Sequence, residues 1–213
     1  MMFHVIFSIM NFIKRLSTEQ IIFILIGIAT VAGLFFWIFK ETNKPQPGMQ
    51  IADLGRGHIP VGTDAFYNSN PPTSGPHYEV WTRASVLDAP PDDRFLLHSL
   101  EHGYIVMSYN CDLQNPLIAL VNEASNSAKL ATDSASLSEP FRSQDCTTLK
   151  TNLTKVFEDK GKRKLIVVPR PDQNSQVILA AWNRMLKLNT FDENAINGFI
   201  DAYLDQGPEK TME

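Results

Sequence analysis

Residues 92–109 read DDRFLLHSLEHGYIVMSY and predict a short helix, a sharp stop and a strand in immediate succession. The two aspartates at the start place negative charge where a helix N-terminus favours it. Gly103 is a natural stop for a helix at 94–102, because glycine adopts the left-handed conformation without steric strain. The β-branched and aromatic residues at 104–109 favour a strand. This stretch therefore indicates a fold that mixes helices with strands.

Further segments have the apolar patterns of regular structure: helices at 115–129 and 146–160, a buried strand at 164–169, and a stretch at 177–188 that fits either a strand or a helix. A last helix is predicted to begin at Asp192, a typical N-cap residue, and to end at Gly207 and Pro208. The elements follow no regular βαβ order, so the predicted fold class is α+β.

Residues 55–91 are dense in turn-forming residues and contain six of the chain's thirteen prolines. Proline removes a backbone donor and disfavours helix in the residue before it, so we expect turns and extended chain here. A shorter run, KPQPG at 44–48, is typical of a stiff linker. We therefore expect one compact mixed domain at 50–209, preceded by a linker at 40–49.

Residues 21–39, IIFILIGIATVAGLFFWIF, have no charged side chain and predict a single transmembrane helix. At 1.5 Å per residue the run spans roughly 28 Å, which is enough for the core of a bilayer. A cleaved signal peptide is the alternative, but the run is long for one and no small-residue cleavage site follows it. The lipid bilayer is the expected partner of this anchor, and residues 1–20 are expected to be cytoplasmic or interfacial.

The expected orientation places the N-terminus in the cytoplasm and the C-terminal domain outside it, although two basic residues flank the anchor on each side. Without residues 1–47, the chain keeps 15 basic and 21 acidic side chains, a net charge of −6. Such a domain lacks the basic face that nucleic acid requires, and the sequence has no phosphate-binding loop or dinucleotide fingerprint. We therefore predict no nucleic-acid or nucleotide binding, and no sequence feature identifies a protein partner.

The chain has two cysteines, Cys111 and Cys146, which enclose residues 112–145. A crosslink that closes a loop of this size stabilises a domain by about 3–4 kcal/mol in the chain-entropy model. Two buried free thiols are the alternative. We predict a disulfide, which would place the domain in an oxidising compartment.

Four of the chain's five histidines fall in one part of the sequence, namely His58, His77, His98 and His102. On a helix, His98, Glu101 and His102 share an arc of about 100°, the arrangement that two metal ligands and a carboxylate require. The predicted metal ligands are the four histidines and Glu101. Imidazole suits several transition metals, and we expect zinc or copper without a sequence feature that chooses between them.

The stretch HSLEH at 98–102 also matches the short H-x-x-E-H pattern of inverted zincins. No histidine follows His102 to supply a further ligand, and Glu101 is the one residue to which a catalytic role, as general base, is assigned. The alternative is that the histidines are hydrogen-bonded structural residues that order the proline-rich segment. Met107 is a copper ligand by residue type, but its place inside a strand favours the core.

Three motifs resemble those of one protein family. They are PPTSGPH at 71–77, HSLEHGYIV at 98–106 and AAWNRMLKLNTFDENAINGFIDAY at 180–203, and in this order they are similar to the uncharacterised family known as domain of unknown function 3105. The resemblance covers about residues 50–209. It implies a membrane-anchored extracytoplasmic domain, found mostly in bacteria, with the histidine motifs as its hallmark, and it implies no activity. The cysteine pair lies outside the shared pattern.

Two functions from different classes are consistent with these features. The first is an extracytoplasmic domain that binds a transition metal; with an open coordination position, such a site could activate water in a metal-dependent hydrolase. The second is an interaction or structural module of the cell envelope that holds no metal. The metal content of the purified protein distinguishes between them.

Overall fold

The computed structural model describes residues 17–42, 45–114 and 139–212. The chain divides into two compact units, Met1–Pro45 and Gln46–Glu213. The helix expected at 115–129 lies outside the described residues. The expected fold class is confirmed: one apolar helix precedes a domain that mixes helices with strands.

The first unit contains a single described helix, α1, at Thr18–Thr42. Glu19 lies in its first turn and Lys40 in its last, and the apolar side chains between them, such as Phe23 and Phe35, are exposed. By length and composition, Thr18–Lys40 is able to cross a membrane, and none of this span is buried within the protein. A signal sequence near an N-terminus meets the same two criteria.

The described part of the second unit has six strands and three α-helices. In chain order these are β1 Met49–Gln50, β2 Ser85–Val86, α2 Asp93–Glu101, β3 Ile105–Tyr109, α3 Gln144–Asp159, β4 Leu165–Pro169, β5 Val177–Ala181, β6 Arg184–Leu188 and α4 Glu193–Tyr203. The strands form one sheet in the order β1-β6-β5-β3-β4-β2. Strand β4 pairs in parallel with β2 and β3, and the other pairs are antiparallel.

Both faces of the sheet are covered, which explains why β3 and β4 are buried at every position. Ile105 and Met107 of β3 belong to the core cluster that contains the apolar faces of α3 and α4. Val106, between them, belongs to a second cluster with the leucines of α2. Met107 is therefore a core residue, as expected, and lies on the face away from α2. Helix α2 is thus separated from the other two helices by the sheet.

The observed boundaries settle one open interpretation and correct another. The stretch at 177–188 is a hairpin of β5 and β6, whose turn contains Asn183 at a φ of +58°. Helix α4 has the expected N-cap, Asp192, but it ends at Tyr203 rather than at Gly207 and Pro208. The helix stops early because Asp205, at a φ of +60°, turns the chain and donates its amide to the carbonyl of Gly103 at 2.9 Å.

The predicted disulfide is present. Cys111 and Cys146 are bonded, with their Cα atoms 5.6 Å apart, and both are buried in the core. The bond joins the chain just after β3 to the first turn of α3, whose N-cap Ser143 accepts a hydrogen bond from the Cys146 amide at 3.1 Å. The covalent crosslink therefore ties α3 to the end of a central strand.

We expect the substitution Gly207→Ala to destabilise the fold, because a Cβ at this position would overlap the carbonyl of Glu101 and the amide of Gly103. The unfolding free energy of the full chain in detergent should fall by about 1–3 kcal/mol, the usual range for overpacking. Chemical unfolding followed by circular dichroism measures this difference.

The matched control is Gly198→Ala, since a Cβ on this α4 residue would meet no atom within 4 Å. Alanine should raise stability there by about 0.5–1 kcal/mol through its helix propensity. Equal stability of Gly207→Ala and the wild type would contradict the close backbone contact.

Candidate metal centre

Helix α2 carries His98 and Glu101, His102 is its C-cap, and the helix is fixed at both ends. The carboxylate of its N-cap, Asp92, accepts a hydrogen bond from the Arg94 amide at 2.9 Å. In the first turn, Asp93 forms a bidentate pair with the nearly buried Arg170, with oxygen–nitrogen distances of 2.5 and 2.7 Å. Gly103 follows the helix at a φ of +83°, and the chain turns there into β3. The side chains of α2 are therefore held in a fixed orientation relative to the sheet.

The outward side of α2 binds the proline-rich segment. Ser99 accepts a hydrogen bond from the amide of Thr82 at 3.0 Å and donates one to its carbonyl at 2.7 Å. The Tyr78 amide donates to the carbonyl of Arg94 at 3.2 Å. These bonds satisfy backbone amides and carbonyls of the proline-rich segment. As a result, residues 77–82 lie along the helix that carries the predicted ligands.

A short parallel bridge adds His58 to this region. His77 donates its amide to the carbonyl of Gly57 at 3.0 Å, and its own carbonyl accepts from the amide of Ile59 at 2.8 Å. His58 is thereby placed beside His77, with ring centroids 5.1 Å apart. Its ring also stacks on that of His98 at 4.9 Å. Three histidines that are far apart in the sequence therefore meet at one place.

His58, His77, His98 and Glu101, which we name the His58 group, each offer one ligand atom within 4.8 Å of the others. His58 is exposed and the other three are buried. Ligand atoms around a tetrahedral zinc ion, with bonds of 2.0–2.1 Å, lie about 3.3 Å apart. Binding of one zinc ion would therefore require the most distant of these ligand atoms to move closer together. The imidazole of His58 is the freest to move, because it is exposed.

Hydrogen bonds determine which ring nitrogens can act as ligands. His77 donates from Nδ1 to the carbonyl of Gly75 at 2.8 Å, and His98 donates from Nδ1 to the carbonyl of Tyr78 at 2.7 Å. A carbonyl only accepts, so in each neutral ring the lone pair lies on Nε2. Such a bond from the second nitrogen to a backbone carbonyl is what orients histidines that bind metals.

Both Nε2 atoms face a polar atom of another side chain. His77 Nε2 lies 2.9 Å from Glu101 Oε2, and His98 Nε2 lies 3.0 Å from His102 Nε2. The Glu101 carboxylate only accepts, so it repels the His77 lone pair unless a cation or a proton lies between them. A neutral His102 that carries its proton on Nε2 would instead donate to the His98 lone pair. The second oxygen of Glu101 lies 3.7 Å from the guanidinium of the half-exposed Arg56. The site therefore brings several electron-pair donors together in a largely buried place.

His102 falls outside the His58 group and belongs to a second one with His98 and Glu209, which we name the Glu209 group. His102 Nε2 lies 3.7 Å from Glu209 Oε2, and the Glu209 side chain is half exposed. The structure thus brings all five predicted ligands into one region, in two groups that share His98. Whether they bind a metal stays a prediction.

Glu209 is the residue that the sequence analysis missed. It follows the last helix and has no apolar spacing around it, so only tertiary contacts bring it near α2. Its amide donates to the carbonyl of Glu101 at 3.0 Å. The one signal in the sequence is Gly207, which we interpreted as a helix end and which instead permits this close approach.

Burial lowers the pKa of His98 below its usual value near 6.5. The hydrogen bond to the Tyr78 carbonyl opposes this effect, and the neighbouring histidines add to it because a second positive charge beside them is unfavourable. His98 is therefore neutral at pH 7. A neutral imidazole is the form that binds a metal ion, so no proton has to be displaced from this ring at that pH.

A family model described as "Protein of unknown function (DUF3105)" matches residues 58–213, which is well over half of the chain. The chain belongs to the DUF3105 family. The match begins at His58 and includes every residue of the His58 and Glu209 groups. Neither the comparison with curated proteins nor the comparison with solved structures gives a match.

The His98 environment predicts a pH dependence of stability for this DUF3105 protein without metal. Because the pKa of His98 is lower in the folded than in the unfolded state, the unfolded chain binds more protons just below pH 6.5. The unfolding free energy should therefore be constant above that pH and decrease as the pH falls from about 6.5. Chemical unfolding between pH 8 and pH 5, in the presence of a chelator, measures the decrease.

The control is His98→Asn, which keeps an N–H donor for the Tyr78 carbonyl but has no titrating group. This variant should show a shallower decrease over the same range. An identical pH dependence in the variant and the wild type would mean that His98 is not the residue responsible.

Proposed function

We propose that the domain binds one transition metal ion through the His58 group. Three imidazoles and one carboxylate are a donor set that suits zinc and copper(II). The orientation of the Nε2 atoms of His77 and His98 is the observation that carries the proposal. Both Nδ1 atoms donate to backbone carbonyls, which leaves both Nε2 lone pairs to bind an ion; that of His77 faces Glu101, inside the group, and that of His98 faces His102, beside it.

The metal-free alternative requires protons in place of the ion. If the proton between His77 and Glu101 lies on His77, the two form an ion pair whose side chains are 0% and 6% exposed. Buried ion pairs gain little net stability, because removing both charges from water offsets their attraction. A divalent cation instead interacts with all the donors at once, including the exposed His58. For this reason we favour the metal site over a structural histidine cluster.

We further propose that the protein is anchored in a membrane by residues 21–39 and that the domain lies outside the cytoplasm. The length and composition of α1 support the first part. The Cys111–Cys146 disulfide supports the second, because such bonds persist in oxidising compartments. An extracytoplasmic site would meet metal ions before they enter the cell, which fits binding, storage or sensing of metal without requiring catalysis.

The central prediction is that the full chain, purified in detergent without a histidine tag, binds one zinc or copper(II) ion. Metal at about 100 times its dissociation constant should add about 2.7 kcal/mol to the unfolding free energy, and a chelator should remove this gain. His98→Ala should weaken binding more than about 100-fold, because loss of a residue that only orients a ligand already costs up to that much. Elemental analysis and titration calorimetry measure these effects.

His4→Ala is the control, because it removes a histidine and leaves all four others in place. Alanine at a buried position can disturb the fold, so His58→Ala, at an exposed position, tests the site separately. This variant should bind metal more weakly, and its circular dichroism spectrum should be that of the wild type. The metal site would be refuted, and the structural module favoured, by a wild-type chain that contains no metal and whose melting temperature does not change when zinc or copper is added.

Membrane topology gives an independent prediction. A reporter enzyme that folds only in an oxidising compartment, fused after Glu213, should be active, and the fusion should remain in the membrane fraction with residues 21–39 still attached. Deletion of these residues should abolish both properties. Mass spectrometry distinguishes an anchor from a cleaved signal sequence. A stably expressed fusion whose reporter is inactive would overturn the proposed localisation.

A further inference from the structure

The segment that follows α4 places the carboxylate of Glu209 close to His98 and His102. The amide of Asp205 donates to the Gly103 carbonyl at 2.9 Å, and the amide of Glu209 donates to the Glu101 carbonyl at 3.0 Å. Gly207, between them, packs directly on the end of α2. The position of Glu209 beside His102 is therefore built from backbone contacts and does not depend on a flexible surface side chain alone.

A buried lysine strengthens this arrangement. The Lys164 side chain is 2% exposed, and its Nζ donates to the carbonyl of His102 at 2.9 Å and to that of Thr211 at 2.8 Å. It also forms an ion pair with Asp205 at 3.0 Å. One cation thus ties residues on both sides of Glu209 to the end of α2. A buried charge is retained only with such partners, so the segment is firmly held.

We infer that the Glu209 group is a second position for a divalent transition metal ion, and that it excludes occupation of the His58 group. Two histidines and a glutamate form the donor set of several zinc sites that keep one coordination position open. The His98 and His102 Nε2 atoms, 3.0 Å apart, are already close to the separation of two ligands on one ion. The half-exposed Glu209 makes this position accessible from solvent.

Mutual exclusion follows from the tautomer of His98. Its Nδ1 donates to the Tyr78 carbonyl, so only Nε2 offers a lone pair, and one lone pair binds one ion. Both groups need that atom. An ion would therefore exchange between them by replacing His102 and Glu209 with His77, Glu101 and His58, while its bond to His98 is kept. This inference rests on the proposed function for the existence of the His58 position.

The test is Co²⁺ titration of the full chain in detergent, followed by visible absorption, which reports both affinity and ligand geometry. We expect one Co²⁺ per chain. Because either position can hold the ion, His58→Ala and Glu209→Gln should each cause a limited loss of affinity. Their combination should cause a loss at least 10-fold greater than the product of the two single losses. The two single variants should also give different absorption spectra.

The matched control is Glu158→Gln, an exposed glutamate of α3 on the far face of the sheet, which should leave affinity unchanged in both backgrounds. His58 and Glu209 are both at the surface, so these variants should keep the fold, and circular dichroism verifies it. Two Co²⁺ per chain would overturn mutual exclusion, and a combined loss equal to or below the product would overturn the second position. Binding of no Co²⁺ by the wild type would refute the proposed function and this inference together.

Discussion

The hydrogen bonds from Nδ1 of His77 and His98 to backbone carbonyls determine how the rest of the site is arranged. They fix the two rings, direct the two Nε2 lone pairs toward Glu101 and His102, and connect the site to the backbone of the proline-rich segment. That segment remains in place because Ser99 pairs with both backbone groups of Thr82. The chemistry of the site is therefore a consequence of how an irregular segment satisfies its backbone against a helix.

The helices, the strands and the clustering of histidines could be predicted because local patterns encode them. The run at 92–109 contains its own N-cap, apolar face, glycine stop and strand, and the structure follows that order. The spacing of His98, Glu101 and His102 likewise places them on one side of α2. Predictions were weaker where tertiary contacts decide. The stretch at 177–188 had no distinctive period, and the end of α4 depends on a bond to Gly103.

The division of the ligands into two groups was also beyond sequence reasoning. The histidines at 58 and 77 are adjacent only because of a single parallel bridge, which has no recognisable pattern in a region of turns. The role of Glu209 depends on a backbone contact with Glu101 across more than half of the domain's sequence. Residue type alone identified the candidate donors, but the proposed assignment of each donor to one of the two groups required the tautomers, and these depend on the neighbouring carbonyls.

The disulfide has a consequence for the speed of folding. Strands β3 and β4 pair in parallel at the centre of the sheet, and residues 110–164 must be closed into a loop before they meet. The Cys111–Cys146 bond removes residues 112–145 from the shortest covalent path between them. By loop-closure entropy this lowers the barrier to pairing by roughly 1 kcal/mol. A chain whose disulfide forms before these strands pair therefore forms its sheet several times faster than a reduced chain, and exposes its unpaired strands for less time.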